Sequence, residues 1–199
     1  MNFPQNIIVH HTYVSRDENN EQFDAVKNYH IKTKGWGDIG YHYFLEPDGV
    51  IKEGRDEKNS GAHCAEKLMN YRSIGICLAG NFDEEDPTPE QLQALTRLIA
   101  RLKEKYKIPS NKVFTHRYFT NYKSCPGVRF TDKILEEIAK GTFPLFFAPE
   151  WSEDGIEWTK SNRIITKITG EPVPDYRLAV ILKNFADRFQ VADFREQEK

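Results

Sequence analysis

The chain has no hydrophobic run that approaches the roughly 18 or more apolar residues a membrane span needs, so membrane insertion is not expected. It carries little surplus charge of either sign. With 28 Lys and Arg against 30 Asp and Glu, its net charge of −2 gives no field that would recruit nucleic acid or an anionic membrane. Cysteine is scarce: three residues, odd in number and without pattern. That excludes a disulfide framework and points to reduced thiols in a chain made in the cytoplasm. The N-terminal MNFPQNIIVHH has no basic segment and only a very short apolar run, so no signal peptide is expected. No internal repeat or low-complexity tract breaks the sequence. What remains, 39% hydrophobic and 29% charged over 199 residues, suits one globular domain with room for a small appendage.

Periodicity places the elements. Ile7 to Val9 reads as a short buried strand. Residues 21–34 space Phe23, Val26, Tyr29, His30 and Thr33 on one helical face, and Gly35 and Gly37 end that helix. YHYFLEPDGVIKEG alternates around Pro47-Asp48-Gly49 and predicts a hairpin. SIGICLAG, Ser73 to Gly80, reads as a central strand buried on both faces. Thr88, Pro89 and Gln91 spell a capped helix start, and Leu92, Leu95, Leu98, Ile99, Leu102 and Tyr106 form its apolar stripe, with Pro109 closing the element. A short strand over Val113–Thr115 and a helix over Asp132–Lys140 follow. Strands alternate with helices but include a hairpin. The expected class is therefore α/β: a central mixed β-sheet flanked by helices on both faces, with a small C-terminal helical appendage.

Three residues stand out chemically. IIVHHT delivers His10 at the end of one strand, VFTHR delivers His116 at the end of another, and KSCPG carries Cys125. Two imidazoles and a thiolate leave one position open on tetrahedral Zn²⁺, as a hydrolytic site requires. Their separations are non-local, so spacing alone does not make the case. A histidine at a strand end is commonly just hydrogen-bonded, and a lone cysteine is commonly a small buried hydrophobe.

The blocks around them add to it. In order they are IIVHHT, YHIKTKGWGDIGYHYFL, DGVIKEGRDE, SGAHC, NYRSIGICLAGNF, TPEQLQAL, THR and KSCPG. This series, over about residues 5–138, resembles the zinc-dependent N-acetylmuramoyl-L-alanine amidases, the superfamily of phage lysozyme-like amidases and animal peptidoglycan recognition proteins. The resemblance implies His10, His116 and Cys125 as zinc ligands, with His11 at a variable position. It implies Tyr41 as the catalytic tyrosine and Lys123 as the lysine that phage members carry two residues before the ligand cysteine. His63 and Asn70 match positions lining the substrate groove. The segment from His116 to Cys125 is one residue longer than the family's usual spacing, a departure that bears on where Lys123 sits. His30, Trp36 and His42 read as structural, Cys77 as a buried hydrophobe, and Cys64 as a half-buried thiol near the pocket.

The domain division expected is 1–140 catalytic, 141–150 linker and 151–199 helical appendage. The appendage has Trp151 and Trp158, then Ile164-Ile165, then Arg177 and a second apolar stripe. It loosely resembles one S-layer-homology-type repeat, which implies contact with a wall polymer. Docking on the catalytic domain or forming a dimer contact is the equal alternative.

By this resemblance the chain is a peptidoglycan hydrolase that cuts between N-acetylmuramic acid and the L-alanine of the stem peptide. A phage or prophage endolysin, reaching the wall after release, and a cytosolic recycling enzyme both fit. The alternatives are a non-catalytic peptidoglycan-binding module, a polymerase-regulating module of the same fold, and a zinc peptidase acting within the stem.

Overall fold

The structure, a computed structural model, describes residues 3–16, 22–120 and 122–143. The expected appendage and most of the expected linker lie outside the described residues.

Five strands form one sheet in the order β3-β2-β4-β1-β5. They are β1 (Asn6–His11), β2 (Tyr43–Leu45), β3 (Ile51–Glu53), β4 (Ser73–Leu78) and β5 (Val113–Thr115). β1 runs parallel to both β4 and β5, and β2 runs parallel to β4. β2 and β3 are antiparallel, the hairpin expected around Pro47-Asp48-Gly49. The sheet is mixed for that reason. β4 is central, and all six of its residues are buried, as the apolar run that follows Ser73 requires.

Side chains alternate across a strand. Ile7 and Val9 of β1 join Ile74, Ile76 and Leu78 of β4 in the larger core, together with Leu92, Leu95, Leu98, Ile99 and Leu102. Those leucines and Ile99 belong to α2 (Pro89–Tyr106), and α3 (Asp132–Lys140) adds Leu135 and Ile138. On the other face Phe44, Cys77 and Ile39 pack against Phe23 and Val26 of α1 (Phe23–Asn28). Helices therefore cover both faces. α1 continues as one wider turn over Tyr29–Thr33, and Gly35 follows at φ 69°.

The capping box at α2 is complete: Gln91 N donates to Thr88 Oγ1 and Thr88 N to Gln91 Oε1. The Gln91 amide also donates to the carbonyls of Ala79 (2.8 Å) and Leu45 (3.3 Å), which pins the helix start to two strands. α2 ends before Pro109, because Lys107 turns left-handed at φ 55°. At the other end of the domain, core packing runs past Lys140 to Phe143, which is buried.

α1 has no side-chain cap of its own. Its first N–H groups are met by Glu46, a buried carboxylate at the end of β2, which accepts from Gln22 N (3.0 Å) and Phe23 N (2.9 Å). Glu46→Ala strands those donors in the interior. Chemical denaturation should show a loss of about 1–3 kcal/mol.

Glu57 forms a second knot, accepting from Tyr43, Tyr106 and Lys105. Burial alone would raise its carboxyl. The hydrogen bonds from Lys105, Tyr106 and Tyr43 outweigh burial and hold the group below the usual carboxylate range. A lowered folded-state pKa gives stability that is present above the unfolded value of about 4.3 and lost as pH falls through the folded one. Melting temperature should therefore drop on acidification below about pH 5, and Glu57→Gln should flatten that limb.

Candidate metal and substrate site

The register of β1 decides which histidine faces the site. His10 pairs with Cys77 and shares its face with Ile8, while His11 follows Val9 to the opposite face. There the His11 ring lies 5.8 Å from that of Phe82, and its Nδ1 accepts from Phe82 N at 3.1 Å. Burial pushes the His11 imidazole down to about 4. β5 is the other parallel neighbour of β1, and His116 begins the short turn directly after it. The ends of two adjacent strands thus bring the two rings to a centroid distance of 4.4 Å.

Cys125 arrives on a loop, and the loop is clamped. Arg117 donates to the carbonyls of Ser124 (3.0 Å), Gly127 (2.7 Å) and Phe130 (2.6 Å), and its backbone N–H donates to the carbonyl of Cys125 at 2.7 Å. Asp83 holds the same loop from the other side, through Ser124 Oγ (2.6 Å) and Val128 N (2.8 Å). Cys125 Sγ lies 3.7 Å from His10 Nδ1. Single ligand atoms of His10, His116 and Cys125 all fall within 4.8 Å of one another.

The chemistry of this set fits a divalent metal. Burial drives the His10 and His116 imidazoles below their usual range, so both are neutral, as ligands must be. His116 Nε2 is buried with no hydrogen-bond partner. Burial pushes the Cys125 thiol up to about 12, so it ionises only against a cation placed beside it.

His63 holds His10 from behind. Its Nδ1 lies 3.0 Å from His10 Nε2, which leaves His10 Nδ1 toward Cys125. The ring fits because Gly61 and Gly75 carry no side chain: a Cβ at either would stand 2.4 or 2.5 Å from His63 Cδ2. His63 therefore lies beneath His10 while still reaching the wall of the cavity.

That cavity has a volume of about 490 Å³. His10, His116 and Cys125 line it, and so do Tyr41, Lys123 and His63. Tyr41 is half-buried, with its ring 5.3 Å from that of His10. Burial, and then the neighbouring Cys77 and Cys125, raise its phenol well above the usual value. Lys123 is exposed, its Nζ 5.4 Å from the Tyr122 ring centre. Asn70 is not among the lining residues. Its carboxamide oxygen accepts from the backbone N–H groups of His63 (2.7 Å) and Cys64 (2.8 Å) and so fixes the loop that carries His63. His42 is taken up by backbone, at Gly75 N and the Asn59 carbonyl. His30 and Trp36 reach the cavity wall, although His30 also accepts from Gly40 N.

Sequence reasoning passed over Arg117 and Asp83. The Arg of THR was the available signal, but nothing in it shows which carbonyls the guanidinium meets. Arg117→Met should leave the fold intact and weaken zinc binding about 10–100-fold, as loss of an outer support does. Calorimetric zinc titration reads this.

The N-acetylmuramoyl-L-alanine amidase family profile matches residues 1–128. Peptidoglycan-recognition protein SC1a of Drosophila melanogaster is 33% identical over 137 residues, which is 67% of this chain and 73% of that protein. The endolysin of Escherichia phage T7 is 33% identical over 122 residues, 59% of this chain and 77% of its own. Among solved structures, the N-acetylmuramoyl-L-alanine amidase LysC from Clostridium intestinale matches with a TM-score of 0.59 and 34% identity. That match covers 68% of this chain and 84% of the other.

Proposed function

Because the chain belongs to the N-acetylmuramoyl-L-alanine amidase family, we propose that it hydrolyses the amide between N-acetylmuramic acid and the L-alanine of the peptidoglycan stem, with zinc held by His10, His116 and Cys125. The observation that carries this reading is the convergence of those three ligand atoms at a cavity that Tyr41 and Lys123 also border.

Zinc, when bound, supplies Lewis-acid polarisation and lowers the pKa of water to about 7. The chain's own residues do the rest. His63 fixes the ring and tautomer of His10, and Arg117 holds the Cys125 loop in reach. Amide hydrolysis places negative charge on the carbonyl oxygen and needs a proton on the departing nitrogen. The Tyr41 phenol is a donor at neutral pH and the Lys123 ammonium is a cation, so each can serve either need. His11, hydrogen-bonded to Phe82, is outside the ligand set.

The relatives named as phage endolysins support action on a cell wall from a chain with no membrane-spanning helix among the described residues. The 151–199 segment, by its S-layer-homology-type pattern, would hold the enzyme on wall polymer and raise its effective concentration there. The peptidoglycan-recognition relatives favour a second reading, retention of peptidoglycan without cleavage.

Digestion of purified peptidoglycan by zinc-replete and chelated protein, followed by mass spectrometry, decides between them. Stem peptides beginning at L-alanine, released only with zinc, are expected. A folded, zinc-loaded protein that binds the polymer and releases nothing would leave the recognition reading. His116→Ala should abolish zinc binding and cleavage with the fold retained. Tyr41→Phe, which removes one donor, should lower kcat by about 10²–10³ while zinc stays bound.

A further inference from the structure

Cys64 and Glu66 sit on the loop between Gly61 and β4. Cys64 is enclosed, with its Sγ 3.4 Å from Glu66 Oε2. The same carboxylate oxygen lies 3.8 Å from His116 Nε2. His116 is 5% exposed, and that nitrogen has no hydrogen-bond partner. One ligand atom each from Cys64, Glu66 and His116 falls within 4.8 Å of the others, the same envelope that encloses His10, His116 and Cys125. The other Glu66 oxygen accepts from the Tyr122 hydroxyl at 3.2 Å, which turns Oε2 toward the sulfur and the imidazole.

We propose that Cys64, Glu66 and His116 form a second metal position, for a zinc-like divalent ion, that shares His116 with the first. Thiolate, carboxylate and imidazole together suit ions such as Zn²⁺ and Co²⁺. A neutral imidazole offers one lone pair while its other nitrogen keeps a proton. The two triads are therefore alternative homes for one ion, not a binuclear centre. Binding at the second releases the Cys64 thiol proton to solvent, because the thiolate is the ligand. Glu66 is half-buried, so an ion can reach this position from solvent. Once there, the ion lies with neither His10 nor Cys125 among its ligands.

The competing account is that Glu66 only orients His116 from outside the ligand set while the Cys64 thiol donates to it. The two accounts separate in the full-length Cys125→Ala protein loaded with Co²⁺. The second position predicts one equivalent of bound cobalt with a near-ultraviolet thiolate-to-cobalt charge-transfer band. Adding Cys64→Ser should abolish that band. Adding Glu66→Gln should weaken cobalt binding by more than the about 10–100-fold that loss of an outer partner costs. The remaining thiol, Cys77, is fully buried in the core and stays in every variant.

A Cys125→Ala protein that keeps the wild-type circular dichroism but shows no thiolate band overturns the proposal, as does a band that survives Cys64→Ser. Cys125→Ser gives the same readings should the alanine variant not fold. The band of cobalt-loaded wild type, compared with that of Cys64→Ser alone, tests the first triad separately.

Discussion

The pairing of β1 with β5 is the constraint from which the site follows. Parallel strands end at the same side of a sheet, so His10, at the penultimate position of one, and His116, just past the end of the other, meet without any loop having to bring them together. Period-two alternation then sends His10 to the face that borders the cavity and His11 into contact with Phe82. A one-residue slip of β1 would exchange them and move Ile7 and Val9 out of the core at the same time. The core and the site are thus held in register by the same hydrogen bonds.

Burial of so many imidazoles has an electrostatic consequence. His10, His63 and His116 are all driven toward the neutral form, chiefly by burial. Neutral rings pack without mutual repulsion and present lone pairs, and a thiol beside them has reason to ionise once a cation arrives. Each of the two histidines of the first triad has a polar group behind it, His63 for His10 and Glu66 for His116. The difference is that His63 is within hydrogen-bonding distance, whereas Glu66 stands farther off and has a cysteine beside it.

Much of the fold was legible. The capping box at Thr88, the hairpin at Pro47-Asp48-Gly49, the buried run of β4 and the leucine stripe of α2 are local patterns, and local patterns survive folding when the core they predict is the one that forms. The stop of α2 was misplaced at Pro109 because the left-handed turn at Lys107 has no glycine to announce it. The Glu66–Tyr71 turn was passed over for a similar reason: Lys67 and Leu68 take left-handed backbone at φ 51° and 60°, which their side chains disfavour. For the site, the histidines, the cysteine, Tyr41 and Lys123 were named through the ordered motif series. Asn70 was named too, as a groove residue; its carboxamide oxygen accepts from the backbone N–H groups of His63 and Cys64, a role no motif announced.

The sequence by itself determined the mixed α/β class, the capped helix, the buried strands and the short list of chemically capable side chains, because these depend on residue type and on spacing along one element. Tertiary structure alone decided which of those side chains share a point in space. His63 stands behind His10 because two glycines from separate segments vacate the room for its ring. Arg117 grips the Cys125 loop, and Glu66 and Cys64 turn toward His116, through contacts between segments far apart in the chain. Such contacts depend on distances that no periodicity encodes.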